Sequence, residues 1–182
     1  MKNLIAISLF FLISCKHTQQ VNSQITGNEQ IITKIENCPK NGSCTIALIQ
    51  NKKLDFKVDE FGNLYPHLNK GDKTILKYTF TKNKIDNTAD TNYTEIVYAE
   101  LDKSYSKTSL IDDQLQVIKL HYGRLCYCKG ESGYFPIKKG VFNLSKSDKD
   151  SLKIDLFFSI KNIPQIISEI HETISLKSNE TN

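Results

Sequence analysis

The chain contains no tryptophan and a single arginine, Arg124, and it lacks an apolar run of the roughly 20 residues that a membrane-spanning helix needs. Nearly all of its 24 basic residues are therefore lysines, and they are scattered along the sequence. Arginine is the residue that most often forms paired hydrogen bonds with base edges and phosphates in nucleic acids. The formal net charge of the chain is only +4. We expect no nucleic-acid partner.

The motifs of common enzyme classes are also missing. The sequence has no G-x-S-x-G, no P-loop, no G-x-G-x-x-G and no H-E-x-x-H. Its adjacent acidic pairs, Asp59-Glu60 and Asp112-Asp113, lie at predicted strand ends or turns, where carboxylates are usually solvated. We predict a non-enzymatic protein without catalytic residues, cofactor or bound metal.

The N-terminus has the pattern of an export signal. Residues 1–3 form a short basic start, residues 4–13 are almost wholly apolar, and Leu12-Ile13-Ser14-Cys15 places a cysteine directly after a small residue. This tetrad resembles the lipobox of bacterial lipoproteins. The resemblance implies cleavage after Ser14, attachment of diacylglycerol to Cys15 and retention on a membrane of the bacterial cell envelope.

The residue after Cys15 bears on which membrane is occupied. Lys16 stands where enteric lipoproteins retained in the inner membrane carry aspartate, so the resemblance favours the outer membrane. Two or more acyl chains would hold the protein stably on a bilayer. The competing interpretation is an ordinary signal peptide, which would not need Cys15.

The sequence predicts four regions. Residues 1–14 are the signal peptide and residues 15–29 a lipidated, flexible tether, because this stretch is polar and has no apolar period. Residues 30–176 are of the length of one domain, and residues 177–182 form a polar tail.

Period-two alternation of apolar and polar residues dominates the predicted domain. It is clear over residues 54–58, 76–80 and 152–160, and weaker over residues 31–36, 45–50, 93–101, 115–122, 125–128 and 141–145. Turn residues at 41–42, 60–63, 69–72 and 147–150 separate these segments. The pattern predicts an all-β fold, an antiparallel sandwich or barrel of about eight or nine strands.

Isoleucines recur at helical spacing near the C-terminus, and Pro164 suits a first helical turn. This pattern predicts an amphipathic helix over residues 165–175 that packs on the sheet. A last strand is the competing interpretation, because isoleucine also favours β structure. The stripe consists of Ile163, Ile166, Ile167, Ile170 and Ile174.

Four cysteines remain besides Cys15. An even number of cysteines in an exported protein predicts disulfides. The four are Cys38, Cys44, Cys126 and Cys128. Three pairings are open: a local one, and two that cross-link the N-terminal hairpin to the later strand. We favour cross-linking, because a bridge between residues i and i+2 distorts an extended strand. A zinc site and a C-x-C redox pair are alternatives, but neither has the usual spacing or context.

Aromatic residues in two predicted loops form the candidate binding surface. Tyr65 and His67 lie in one loop, and Tyr134 and Phe135 lie in another, after the C-x-C pair. The competing interpretation is that they cover the ends of the core. The predicted function is a membrane-anchored binding or assembly module whose partner is an envelope protein or a small apolar ligand.

Two other functions are kept as alternatives. A calycin-like barrel carrying a small apolar ligand would hold a cavity between the inward faces of residues 76–80 and 152–160, although the Gly-x-Trp of lipocalins is missing. An envelope enzyme with a site of unrecognised type would bring His121, Arg124 and a carboxylate into one cleft.

Overall fold

The computed structural model describes residues 25–26, 29–32, 35, 37–84, 86, 91–128, 130–147 and 150–176. The predicted signal peptide, Cys15, residues 16–24 of the predicted tether and the predicted polar tail lie outside these residues. The described part is mostly β structure. Its strands are β1 (Ile25–Thr26), β2 (Glu29–Ile32), β3 (Gly42–Val58), β4 (Leu64–Lys82), β5 (Tyr93–Asp102), β6 (Thr108–Ile111), β7 (His121–Cys126), β8 (Gly133–Pro136), β9 (Gly140–Ser147), β10 (Ser151–Phe158) and β11 (Glu169–Ser175).

Two antiparallel sheets contain these strands. The larger sheet has the order β1-β2-β3-β4-β5-β7-β8, and the smaller has the order β11-β10-β9-β6. Strand β1 falls within the predicted tether. Residues 115–118, predicted as strand, instead belong to a 3-10 helix, Asp112–Ile118, that precedes β7. Within the described residues neither sheet closes on itself.

One apolar core lies between the two sheets. Alternate residues of strands such as β10 point into it, and each fully buried large aliphatic or aromatic side chain contributes about 1.5–3 kcal/mol. The predicted all-β antiparallel class is confirmed, and the arrangement is sandwich-like. Core residues from the larger sheet include Ile46, Leu48, Tyr78, Phe80 and Val97, and those from the smaller include Phe142, Leu144, Ile154, Leu156 and Phe158.

The predicted C-terminal helix is wrong. Strand β11 pairs with β10 and places Ile170 opposite Leu156 and Ile174 opposite Leu152. The backbone N–H groups of Ile166 and Ile167, in the segment before β11, donate to the buried Glu95 carboxylate, each at 2.7 Å. Stiff β-branched side chains lose little in a strand, and residues 170 and 174 share a face at period two as well as at helical spacing.

A single long hairpin, β3 and β4, contains the three strands predicted over residues 45–50, 54–58 and 76–80. Residues 69–72, predicted as a turn, lie inside β4. The pairing register shifts at Asn51, which has a positive φ of 58°, and the hairpin bends at this bulge. Gly71 permits the bend, since a Cβ there would lie 2.8 Å from the Cβ of Lys53. We call residues 52–70, beyond the bend, the arm.

The arm folds over the outer face of the larger sheet. Leu54 is fully buried there in a second apolar cluster with Ile75 of β4 and Ile96 of β5. Further along the arm, Phe56 stacks on His121 of β7 with ring centroids 3.6 Å apart, and it lies 6.2 Å from the ring of Tyr134 on β8. The arm therefore crosses the sheet from β4 toward the β8 edge.

A polar clamp fastens the base of the arm. The Glu100 carboxylate accepts the N–H of Leu54 at 2.7 Å and also contacts the Lys119 ammonium at 3.2 Å. Lys119 reaches the arm a second time through the carbonyl of Leu54 and the Asp55 carboxylate. The hydrogen bond from Lys119 lowers the pKa of Asp55. Both backbone groups of Leu54 are thus satisfied by side chains outside the arm, Glu100 of β5 and Lys119 between the 3-10 helix and β7.

Candidate functional site

The four cysteines outside the N-terminus form two local disulfides. Cys38 bonds Cys44, and Cys126 bonds Cys128, with S–S distances of 2.06 and 2.07 Å. The prediction that these cysteines form disulfides is confirmed, but the favoured cross-linked pairing is wrong. Strands β4 and β5 lie between β3, which carries Cys44, and β7, which carries Cys126. Three strand spacings amount to about 14 Å, beyond the reach of a disulfide.

The two bridges occupy different surroundings. Cys44 is 5% exposed, lies in the main core and accepts a hydrogen bond from the Tyr78 hydroxyl at 3.0 Å. Cys126 is the last residue of β7, opposite Tyr93, and Cys128 lies beyond the strand. A bridge between residues i and i+2 distorts an extended strand, but β7 ends at Cys126. The Cys126–Cys128 bridge therefore does not lie within the strand.

A cleft of about 180 Å³ opens beside the Cys126–Cys128 bridge. It lies where β4 and β7 end and β5 begins, at one end of the larger sheet. Tyr127 stands at its edge with 87% of its surface exposed. The cleft is lined by Lys82, Asn83, Thr91, Asn92, Tyr93, Cys126, Tyr127 and Cys128.

A buried polar network underlies this cleft. Arg124 donates to the Tyr93 hydroxyl at 3.2 Å and to the Glu131 carboxylate at 2.6 Å, and the Tyr93 hydroxyl donates to the Glu95 carboxylate. Glu95 is only 1% exposed. Burial, and then the bond to Glu95, raise the pKa of Tyr93. Lys82 and Arg124 both approach the Tyr93 ring, at 6.0 and 5.3 Å from its centroid.

The apex of the arm is the second candidate site. The Asp59 carboxylate accepts the N–H groups of Phe61 at 2.9 Å and Asn63 at 2.8 Å, which fixes the turn between β3 and β4. The backbone hydrogen bond from Asn63 lowers the pKa of Asp59. Phe61 is 80% exposed on this turn, and Val58 is 61% exposed beside it. The sequence places Phe61 in a loop, and Asp59 with Gly62-Asn63 is a recognisable turn signal, but Phe61 is not among the predicted binding residues.

The predicted binding residues do not form one surface. Tyr65 and His67 lie in β4, on the arm, and Tyr134 and Phe135 lie in β8, so neither pair is in a loop. Tyr134 packs against Phe56 on the outer face, which brings it to the arm, whereas Phe135 packs against the main core. Adjacent strand residues point to opposite faces, which is why Tyr134 and Phe135 separate. Their predicted role in binding stays a prediction.

His121 and Arg124 also point to opposite faces of the larger sheet. His121 stacks under Phe56 on the outer face, where burial lowers its pKa, while Arg124 meets Tyr93 on the inner side. An enzyme site of unrecognised type would bring His121, Arg124 and a carboxylate into one cleft. Because His121 and Arg124 point to opposite faces, they do not line a common cleft. Among the described residues, no group of three or more histidine, cysteine, aspartate or glutamate side chains is placed to hold a metal ion.

No known protein family, curated protein or solved structure matches the chain. In the part of the chain that the structure describes, no helix has the length and apolarity to cross a membrane.

Proposed function

We propose that the protein is a lipid-anchored binding module of the bacterial cell envelope, and that it engages an envelope protein through the apex of its arm. The anchor part of the proposal rests on Leu12-Ile13-Ser14-Cys15, the tetrad that resembles a lipobox. The binding part rests on one observation: Phe61 is 80% exposed at the apex of a hydrogen-bonded turn.

An aromatic side chain held in water by a fixed turn is suited to anchoring a protein contact. Burying Phe61 in a partner would contribute about 1.5–3 kcal/mol, and large aromatic residues are frequent among the residues that dominate interface energies. The Asp59 hydrogen bonds already order the turn, which reduces the entropy lost on binding. Val58, opposite Leu64, and Tyr65, which is opposite Lys57 and 40% exposed, lie near the apex on opposite faces of the arm.

A rigid connection to the sheet adds to this support. Glu100 and Lys119 hold Leu54, and Phe56 is stacked on His121, so the base and middle of the arm are tied to the sheet. The apex beyond Phe56 then projects in one direction. A lipid at Cys15 would raise the local concentration of this apex at the membrane surface.

The calycin-like alternative has less support. The inward residues of 76–80 and 152–158 are buried against each other in one core. The described strands form two open sheets. An apolar ligand would need space that these side chains fill.

Site-specific photocrosslinking in the native envelope tests the proposal. A photoreactive residue at Phe61 is compared with one at Val117, which is 77% exposed on the 3-10 helix and serves as the matched control. We expect a discrete protein adduct from position 61, absent from position 117 and reduced when Cys15→Ser releases the chain. Equal adducts from both positions, or none from position 61, would contradict an arm-mediated contact.

A further inference from the structure

The Cys126–Cys128 bridge cross-links no two elements of the fold. It joins residues two apart at the end of β7, and strand pairing already fixes Cys126 opposite Tyr93. A disulfide stabilises mainly by restricting the unfolded chain, and a bridge across one intervening residue restricts it least. Cys38–Cys44, by contrast, fastens the preceding loop to a core residue that is 5% exposed.

The same bridge is open to an incoming thiol. Both of its cysteines line the 180 Å³ cleft, and Tyr127 between them is 87% exposed. A partner sulfur must approach a disulfide sulfur directly to exchange with it, so access is the first requirement. In the Cys38–Cys44 bridge, Cys44 lies in the core and only the partly buried Cys38 is open to attack.

Two cationic side chains, Lys82 and Arg124, lie on the Cys126 side of the bridge. Residues two apart on a strand share a face, so Cys126 lies on the face of Arg124, and Lys82 lines the same cleft. Two carboxylates lie near them, but Glu131 is paired with Arg124, and Glu95 accepts the N–H groups of residues 166 and 167. Cationic groups stabilise a thiolate, which makes Cys126 the better leaving sulfur.

We infer that Cys126–Cys128 is a thiol–disulfide exchange site that oxidises dithiols at the envelope. The thiolate of an incoming dithiol attacks Sγ of Cys128, and a sulfur–sulfur bond forms between them. The bond to Cys126 breaks, and its electron pair leaves on Cys126 as a thiolate. The second thiolate of the dithiol then displaces Cys128. The dithiol ends as a disulfide, having given two electrons and two protons, and Cys126 and Cys128 end as thiols. This activity requires neither the lipid anchor nor the arm.

Bridge-resolved reduction tests the inference. The full chain with Cys15→Ser is equilibrated in buffers of graded reduced and oxidised dithiothreitol, alkylated, and read by peptide mass spectrometry. We expect Cys126–Cys128 to open at a reduced-to-oxidised ratio at least about tenfold lower than Cys38–Cys44 does. Opening of both bridges at the same ratio, or earlier opening of Cys38–Cys44, would overturn the inference.

Two sets of variants separate exchange from structure. Cys126→Ser with Cys128→Ser is expected to leave the melting temperature nearly unchanged, whereas Cys38→Ser with Cys44→Ser lowers it. If the first pair unfolds the protein as much as the second, the bridge is structural and the inference fails. In single variants at pH 7, the thiol left by Cys128→Ser is expected to alkylate about tenfold faster than the thiol left by Cys126→Ser. Equal rates would overturn the assignment of Cys126 as the leaving sulfur.

Discussion

Phe56 and His121 lie face to face, with ring centroids 3.6 Å apart and ring planes 16° from parallel. Phe56 belongs to the arm and His121 to β7, two strands away from β4 in the larger sheet. The contact therefore shows that the arm crosses β5 and reaches β7. It also buries an imidazole under an apolar ring, which couples the docking of the arm to pH.

The first prediction concerns this coupling. Burial lowers the pKa of His121 below its usual value of 6.5. Because the folded-state pKa is the lower one, the stability from neutral His121 is complete above the unfolded pKa and is lost as pH falls through the folded pKa. We expect the melting temperature to fall between pH 7 and pH 5 more steeply in the native chain than in His121→Phe.

His121→Phe is the matched control, because it retains a ring for Phe56 but removes the titrating group. His67 and His171 are present in both proteins, so the difference between the two pH profiles isolates His121. Parallel profiles would show that protonation of His121 does not weaken the folded state.

The second prediction concerns the buried carboxylate of Glu95. It accepts the N–H groups of Ile166 and Ile167 at 2.7 Å and the Tyr93 hydroxyl. Glu95→Gln keeps the shape but places a neutral amide against these donors, and bonds to charged groups are the stronger ones. We expect the free energy of unfolding in urea to fall by about 2–4 kcal/mol.

Glu60→Gln is the control for this change, because Glu60 is exposed near the arm apex. It is expected to alter the free energy of unfolding by less than about 0.5 kcal/mol. A similar loss in both variants would mean that Glu95 does not fasten residues 166 and 167.

The third prediction concerns the bend at the base of the arm. A Cβ at residue 71 would meet the Cβ of Lys53 at 2.8 Å and the backbone of residues 52 and 53 at 3.0 Å. Backbone atoms cannot move aside as a flexible side chain can. We expect Gly71→Ala to destabilise the protein by about 1–3 kcal/mol, and the exposed neighbour change Lys70→Ala by less than about 0.5 kcal/mol, in thermal or urea unfolding. Equal stability of the two variants would count against the bend.

The fourth prediction concerns the clamp on Leu54. Lys119→Met removes the ammonium that contacts Glu100 and the Leu54 carbonyl. We expect faster amide hydrogen exchange over residues 53–57, with residues 76–80 unchanged, because the arm opens locally while the sheet remains folded. Lys103→Met, at an exposed position, serves as the control. Unchanged exchange over residues 53–57 would show that the ammonium does not hold the arm.

The alternation of apolar and polar residues predicts the all-β fold class. The features that it does not predict depend on contacts between residues far apart in the sequence. Leu76, Tyr78 and Phe80 alternate along one face of β4, and their burial confirms the strand predicted there. Residues 69–72, at the bend, have the composition of a turn, so the local pattern predicts several short strands where the structure has one hairpin. Glu95 binds the N–H groups of residues 166 and 167, some 70 positions away, and no local pattern signals that contact.

The candidate sites depend in the same way on strand order. The cysteine pairing follows from β4 and β5 lying between β3 and β7, which spacing alone does not reveal. The exposed Phe61 follows from the arm, because a hairpin that continued straight along the sheet would place its turn elsewhere. The lipobox-like tetrad is the one functional signal that is wholly local, and Cys15 lies outside the described residues.

The most direct measurement is the intact mass and N-terminal peptide of the protein recovered from cell membranes. We expect a chain that begins at Cys15, with the mass of a diacylglycerol on its sulfur, in the membrane fraction. We also expect that Cys15→Ser moves the protein out of that fraction. A mature chain that begins elsewhere and carries no lipid, or a Cys15→Ser chain that stays on the membrane, would contradict a lipid anchor at Cys15.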